Sequence, residues 1–285
     1  MSVKVVAHVN NVLGEGPLWH WTEKRVYWTD ILQGRLYRLN PVGGQYELVI
    51  EGRPVGGFTI QADGSLLLFR DRGRVEVLRD GDIAETIVEE IPQETHTRFN
   101  DVIAAPCGRV FCGTMSADDR PGRLYRLNHD GTYQIVIDGV EVPNGMGFTG
   151  DLKSMYFTDT MKRTILIYDY DRDSGDLSNR RIFARTGGLA LPDGLTVDAE
   201  GDVWSAMWEG GCVIRYAPDG GEKGRVNLPV NKPTSVAFGG ADFSHLYVTS
   251  ASLDETGDKV ENAGALFCVD AGAQGRREFH SRIGF

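Results

Sequence analysis

One short strand pattern returns six times along this chain, and that recurrence limits the fold more than any other feature. Two or three apolar or aromatic residues run together and are often followed by a small hydroxyl residue or Asp. The instances are Val26-Tyr27-Trp28-Thr29-Asp30, Leu66-Leu67-Leu68-Phe69, Val110-Phe111-Cys112-Gly113-Thr114, Met155-Tyr156-Phe157-Thr158-Asp159, Val203-Trp204-Ser205 and Leu246-Tyr247-Val248-Thr249-Ser250. Their centres, at 28, 68, 112, 157, 205 and 248, lie 40 to 48 residues apart, so six units fill the 285 residues. A turn signal precedes the strand, as in Asp63-Gly64 and Ala199-Glu200-Gly201-Asp202. A second apolar strand follows it, as in Leu36-Tyr37-Arg38-Leu39 and Leu124-Tyr125-Arg126-Leu127. Short strands between Gly, Asp and Asn, with no helix-length stretch of 3.6-residue period, make an all-β protein. A period in the forties with several strands per unit is that of a propeller. The expected architecture is a six-bladed β-propeller, residues 1–285 forming one domain. Val3-Lys4-Val5-Val6 is expected to close the ring by pairing with the last blade, since closure leaves only short, protected edges.

Charge narrows the function. The net charge of −10 opposes nucleic-acid binders, which need a basic face, and anionic membrane surfaces. Residues 1–13 carry one Lys and no continuous apolar run, so a secretory signal is not expected. No stretch approaches the 18 apolar residues of a membrane span. Cys107, Cys112, Cys212 and Cys268 show neither a Cys-x-x-Cys pair nor zinc-ligand spacing, and are expected to be reduced thiols in a cytoplasmic protein.

The informative residues stand at a fixed offset before the repeat. Glu15, Asn100, Asn144 and Asp193 each lie 12 or 13 residues ahead of a strand centre; the other two blades place Gly56 and Ser235 there. That position falls in the first strand of each blade, which in a propeller lines the axis, so the four residues should ring the central channel at one height. Two carboxylates facing one point resist ionising together, and a divalent cation removes that penalty. Oxygen-only ligation selects a hard ion, Ca²⁺ first, with Mg²⁺ and Mn²⁺ as alternatives. Four protein ligands leave room for water or substrate. Asn144-Gly145 and Asp193-Gly194 also match the strongest hairpin-turn signal. The turns of those blades are already assigned nearer the patterned strand, at Thr149-Gly150-Asp151 and Asp198-Ala199-Glu200-Gly201, which favours the axial site.

Six motifs in register, Leu13-Gly14-Glu15-Gly16-Pro17-Leu18-Trp19, Arg98-Phe99-Asn100-Asp101, Gly113-Thr114-Met115, Pro143-Asn144-Gly145, Pro192-Asp193-Gly194 and Phe238-Gly239-Gly240, resemble the regucalcin (senescence marker protein)/gluconolactonase family. The resemblance implies a six-bladed propeller with one divalent metal in its channel and hydrolysis of sugar lactones. It makes Glu15, Asn144 and Asp193 direct ligands, with Asn100 ligating directly or through water. It gives Arg98 and Asn100 to substrate binding. It also assigns substrate contact to an acid three residues after Gly-Thr-Met; here that acid is Asp118, one methylene shorter than the Glu usual in the family. Ca²⁺, Zn²⁺, Mn²⁺, Mg²⁺ or Fe²⁺ would each serve, as a Lewis acid at the lactone carbonyl. Asp193 is then the general base for the attacking water.

Arg98 could instead be an exposed loop Arg paired with Asp101. His96, Trp19, Met115 and Trp208 are candidates for the channel mouth or wall, each also readable as a surface or core residue. No Gly-x-Ser-x-Gly elbow or Walker loop is present. The expected partner is a small sugar lactone, taken by a monomer or weak oligomer. Two rival functions remain: a propeller hydrolase of phosphotriesters or other esters, and a non-catalytic calcium-binding propeller.

Overall fold

The computed structural model describes residues 2–254 and 260–285. Among these the strands form six four-stranded antiparallel sheets arranged as the blades of a propeller. Blade 1 spans residues 14–51, blade 2 55–88, blade 3 99–140, blade 4 143–185, blade 5 191–227, and blade 6 233–270. Each predicted repeat is the second strand of its blade. The strand before it, the first strand, lies innermost, with neighbouring first strands in contact around the axis. We call the face where these first strands begin the upper face. The outermost strand is the most exposed, and it carries Tyr46, Leu48, Ile135 and Ile182 partly into solvent.

The second strands are continuously apolar because both of their faces are covered by neighbouring blades. Every seam between blades carries an aromatic pair: Tyr27–Phe58, Phe69–Phe99, Phe111–Phe148, Phe183–Tyr216, Trp204–Phe238 and, across the closure, Trp19–Tyr247, with centroids 5.3–6.4 Å apart. Flat rings fill the wedge between twisted sheets and gain from edge-to-face contact. Trp19 therefore belongs to the core of the first seam. Polar clips supplement the packing: Thr29 Oγ1 donates to Val55 O of the next blade at 2.7 Å, and Thr234 Oγ1 donates to Gly14 O.

Val3–Ala7 pairs antiparallel with the last strand, Val3 opposite Val269 and Val5 opposite Phe267, so the N-terminus closes the ring as expected. A second closure was not foreseen. After the sixth blade the chain crosses the lower face without regular structure and touches every blade. Gly275 N donates to Phe243 O in blade 6, Ala199 N of blade 5 to Gln274 O, and Trp21 Nε1 of blade 1 to His280. Ser281 N donates to Ile60 O in blade 2, Arg282 N to Gly108 O in blade 3, and Phe279 meets Phe148 of blade 4. The repeat period cannot register such a segment, because it belongs to no blade. No helix among the described residues is long and apolar enough to cross a membrane. The four cysteines are unbridged.

Candidate metal centre

Glu15, Asn100, Asn144 and Asp193 all stand near the upper start of a first strand and all are buried, with 4–7% of their surface exposed. Asn144 and Asp193 lie inside strands, which rejects the hairpin-turn alternative. Every first strand also shifts register at this level: between Glu15 and Leu18, Val55 and Gly57, Phe99 and Val102, Asn144 and Met146, Pro192 and Leu195, and Pro233 and Val236. A bulge adds a residue, bends the strand and re-aims a side chain. Here it turns the polar residue towards the axis while the strand below resumes its ordinary pairing.

The glycine after each of two candidates has a packing reason. A Cβ on Gly145 would stand 2.5 Å from Asp193 O, and one on Gly194 would stand 2.1 Å from Ser235 Oγ. The first strands crowd together at the axis, and only glycine lets the next blade approach. The same dipeptides that signal hairpins in sequence serve close approach here.

Hydrogen bonds link the candidates from blade to blade. Arg98 Nη1 donates to Asn100 Oδ1 at 2.7 Å and to Phe99 O at 2.9 Å. Asn100 Nδ2 donates to Asn144 Oδ1 at 2.8 Å and to Pro143 O at 2.9 Å. Asn144 Nδ2 donates to Thr160 Oγ1 at 3.0 Å, and that hydroxyl donates to Pro192 O at 2.8 Å. Both amides are thus held by their N–H groups. Each amide oxygen accepts one bond and keeps a second lone pair. Arg98 is half-buried and bound to Asn100, not the exposed partner of Asp101 that the alternative reading required.

The carboxylates sit in a strained electrostatic setting. Burial, then the negative charge of Asp101, pushes Glu15 up to about 8 against the opposing pull of Gly16 N–H and Arg98. Burial, then Glu15 and Asp101, holds Asp193 well above the usual carboxylate range. Burial raises Asp101 to about 6 and lowers Arg98 to about 10. Asp193 Oδ1 is buried with no hydrogen-bond partner. An orphaned carboxylate oxygen beside a second destabilised carboxylate is the environment a hard cation relieves. Among the described residues no three His, Cys, Asp or Glu side chains gather to hold a metal; a cation between Glu15 and Asp193 would have the Asn144 and Asn100 amide oxygens as its further protein donors. The donor set fits such an ion.

Below this level the channel holds a cavity of about 60 Å³ lined by Thr59, Asp101, Ser235 and Glu278 among others. Glu278 comes from the C-terminal segment; Thr196 Oγ1 donates to its Oε1 at 3.4 Å, and burial followed by Asp101 raises it to about 7. The sequence reading did not reach Thr160, the channel-facing role of Asp101, or Glu278. Thr160 and Glu278 carry no periodic signal, and in the sequence Asp101 reads as a partner for Arg98.

The remaining candidates lie towards the upper rim. Asp118 is exposed at the tip of the turn closed by Ala117 and Arg120, and its side chain makes no bond to the four channel residues. Met115 and Trp208 are half-buried at upper strand ends, Trp208 beneath the Lys232 ammonium. His96 is exposed and lines a separate cleft.

Residues 13–252 match the family model described as SMP-30/Gluconolactonase/LRE-like region. Pentonolactonase XacC of Haloferax volcanii is 50% identical and covers 99% of both chains. The 6-deoxy-6-sulfogluconolactonase of Pseudomonas putida is 34% identical over 95% of this chain and 94% of its own. Among solved structures, a calcium-binding protein, regucalcin, from Agrobacterium tumefaciens superposes with a TM-score of 0.92 at 27% identity, covering 99% of this chain and 98% of that one.

Proposed function

The chain belongs to the SMP-30/gluconolactonase/LRE-like family, and from that premise we propose that it hydrolyses a sugar lactone to the aldonic acid at the axial centre. The observation that carries this reading is the pair of buried, destabilised carboxylates Glu15 and Asp193, one oxygen of Asp193 unpartnered, beside two amide oxygens already oriented by Thr160 and Arg98. Glu15, Asn144, Asp193 and Asn100 would hold one divalent cation, which supplies Lewis acidity at the lactone carbonyl oxygen. Calcium suits the oxygen-only set, and a neighbour described as calcium-binding supports it.

The rest of the work falls to the chain. Asp193, placed to touch both the cation and the attacking water, would take that water's proton. Water adds to the carbonyl carbon, the bond from that carbon to the ring oxygen breaks, and the ring oxygen leaves as a hydroxyl with the proton that Asp193 took from the water. Arg98, held towards the axis by Asn100, donates to substrate oxygens, and Asp118 on the rim accepts from sugar hydroxyls. These two residues favour a polyhydroxylated substrate over a phosphotriester. The 50% relative named for pentonolactones makes five-carbon aldonolactones the first to test. The site is complete within one closed ring, so a monomer suffices, and the unbridged cysteines suit the cytoplasm.

The test is pH-stat hydrolysis of five- and six-carbon aldonolactones by metal-stripped protein, with and without added Ca²⁺, Mn²⁺, Mg²⁺ and Zn²⁺. A cation-dependent rate that Asp193→Ala abolishes is expected. No rate above spontaneous opening, or faster cleavage of an organophosphate ester, would overturn the reading.

A further inference from the structure

A network of buried charge stands on the upper face away from the axis, between the connection that leads into blade 3 and that blade's own upper loop. Glu94 ends a single 3₁₀ turn, Pro92–Glu94, and is fully buried. Its Oε1 accepts from Tyr125 Oη at 2.6 Å, with Arg123 Nη1 at 3.8 Å, and its Oε2 accepts from Arg120 Nη2. Arg120 grips the same turn a second time, its Nε donating to Gln93 O at 2.6 Å, and it binds Pro121 O through Nη1.

Both ends of this network lead to the substrate side of the site. Arg120 closes the turn whose tip is Asp118 and Asp119: Ala117 N donates to Arg120 O at 2.9 Å and Arg120 N to Ala117 O at 3.2 Å. Glu94 O accepts from Thr97 N at 3.1 Å, and Thr97 Oγ1 donates to Met115 O, whose own N–H donates to Arg98 O at 3.0 Å. One carboxylate therefore connects the strand start that carries Arg98 with the turn that carries Asp118. Beside the link the two segments are separated by a cleft of about 270 Å³, lined by Pro92, Thr95, His96, Ala117 and Asp119 among others. The Met115–Arg98 and Thr97–Met115 bonds hold the two segments together at the strand ends; beyond them, at the turn that carries Asp118, the Glu94–Arg120 pair spans the gap where apolar packing does not. Replacing a buried ion pair with apolar side chains is often neutral or stabilising, whereas a planar guanidinium that spans a carboxylate and the neighbouring backbone carbonyl, as Arg120 spans Glu94 and Gln93 O, fixes geometry.

Resting on the lactonase reading above, we propose that Glu94 and Arg120 are a positioning pair. They set the distance between Arg98 and Asp118, and with it the ring size and hydroxyl pattern that the rim accepts. Neither residue touches substrate or cation.

The experiment compares the wild type, Glu94→Gln, Arg120→Lys, Arg120→Gln and the double variant Glu94→Gln/Arg120→Gln. The readouts are kcat and KM on a five- and a six-carbon aldonolactone, Kd for Ca²⁺, and Tm. Glu94→Gln keeps the shape and loses the charge. It should raise KM roughly tenfold with kcat within about threefold, and flatten the preference between the two lactones. Calcium affinity should stay within about twofold. Arg120→Lys should lie between wild type and Arg120→Gln, because a lysine keeps the charge without the fork, and the double variant should be no worse than the worse single one. Unchanged KM in Glu94→Gln and Arg120→Gln, or kcat, calcium affinity and Tm falling together, overturns the pair as a positioning device while leaving the lactonase intact. A wild type that turns over no aldonolactone overturns the proposed function, and the positioning role falls with it.

Discussion

Glu278 offers a test of how the lower closure is built. Its carboxyl enters the channel from the C-terminal segment, receives only a long bond from Thr196, and titrates at about 7 where the unfolded chain would titrate at about 4.5. A carboxyl raised on folding is held neutral, so the folded protein binds more protons than the unfolded chain between those values. Stability therefore falls as pH rises from about 4.5 to about 7 and is level above that. The gap of about 2.5 pH units corresponds to roughly 3 kcal/mol at about 1.4 kcal/mol each; partial contact with the cavity reduces this to ~2 kcal/mol. Glu278→Gln keeps the Oε1 that Thr196 binds and removes the titration. At an unfolding entropy of about 2 cal/mol/K per residue, ~2 kcal/mol is a Tm difference of roughly 3 °C. Calorimetric scans of metal-stripped wild type and variant across pH 4 to 9 read it directly, because Glu15 and Asp193 titrate alike in both and cancel. The two should coincide near pH 4.5, and the variant should melt roughly 3 °C higher at pH 8. A difference that is constant with pH, or a variant that is less stable at pH 8, would refute the buried-neutral description.

Three further outcomes follow from the axial geometry. Glu15 titrates at about 8 and so carries a proton in the metal-free protein at pH 7, while burial and the charges of Glu15 and Asp101 push Asp193 upward in the same direction. Cation binding should then release protons and strengthen by up to about tenfold per pH unit for each proton until pH 8; calorimetry in buffers of different ionisation heat measures this, and buffer-independent heats would contradict it. Asp193→Asn removes one carboxylate and the free proton acceptor, so calcium affinity should fall at least ~10-fold and lactone turnover at least ~100-fold, assayed by titration and pH-stat at saturating cation. Gly194→Ala places a Cβ 2.1 Å from Ser235 Oγ and 2.7 Å from its Cα and should cost about 1–3 kcal/mol, while Gly224→Ala, whose Cβ meets nothing within 4 Å, should cost under about 0.5 kcal/mol; urea midpoints compare them.

The sequence by itself determined the ring and the height of the site. Strand residues alternate with a period of two and blades repeat every forty-odd residues, so Glu15, Asn100, Asn144 and Asp193, at one offset from their strands, had to come to one level around one axis. That inference needed only local order and the repeat, and Val3–Ala7 closing the last blade followed from it. Tertiary structure decided what periodicity cannot encode. The bulge at each first strand re-aims the four side chains, and the crowding that demands Gly145 and Gly194 arises only when neighbouring blades meet. Thr160 orients Asn144 because two blades abut, not because of its place in a repeat. Glu278 reaches the channel from a segment outside all six blades, and Glu94 meets Arg120 from 26 positions away along the chain. The raised carboxyls of Glu15 and Asp193 express burial and the charge of Asp101, with that of Glu15 added at Asp193, and these exist only once the ring has closed.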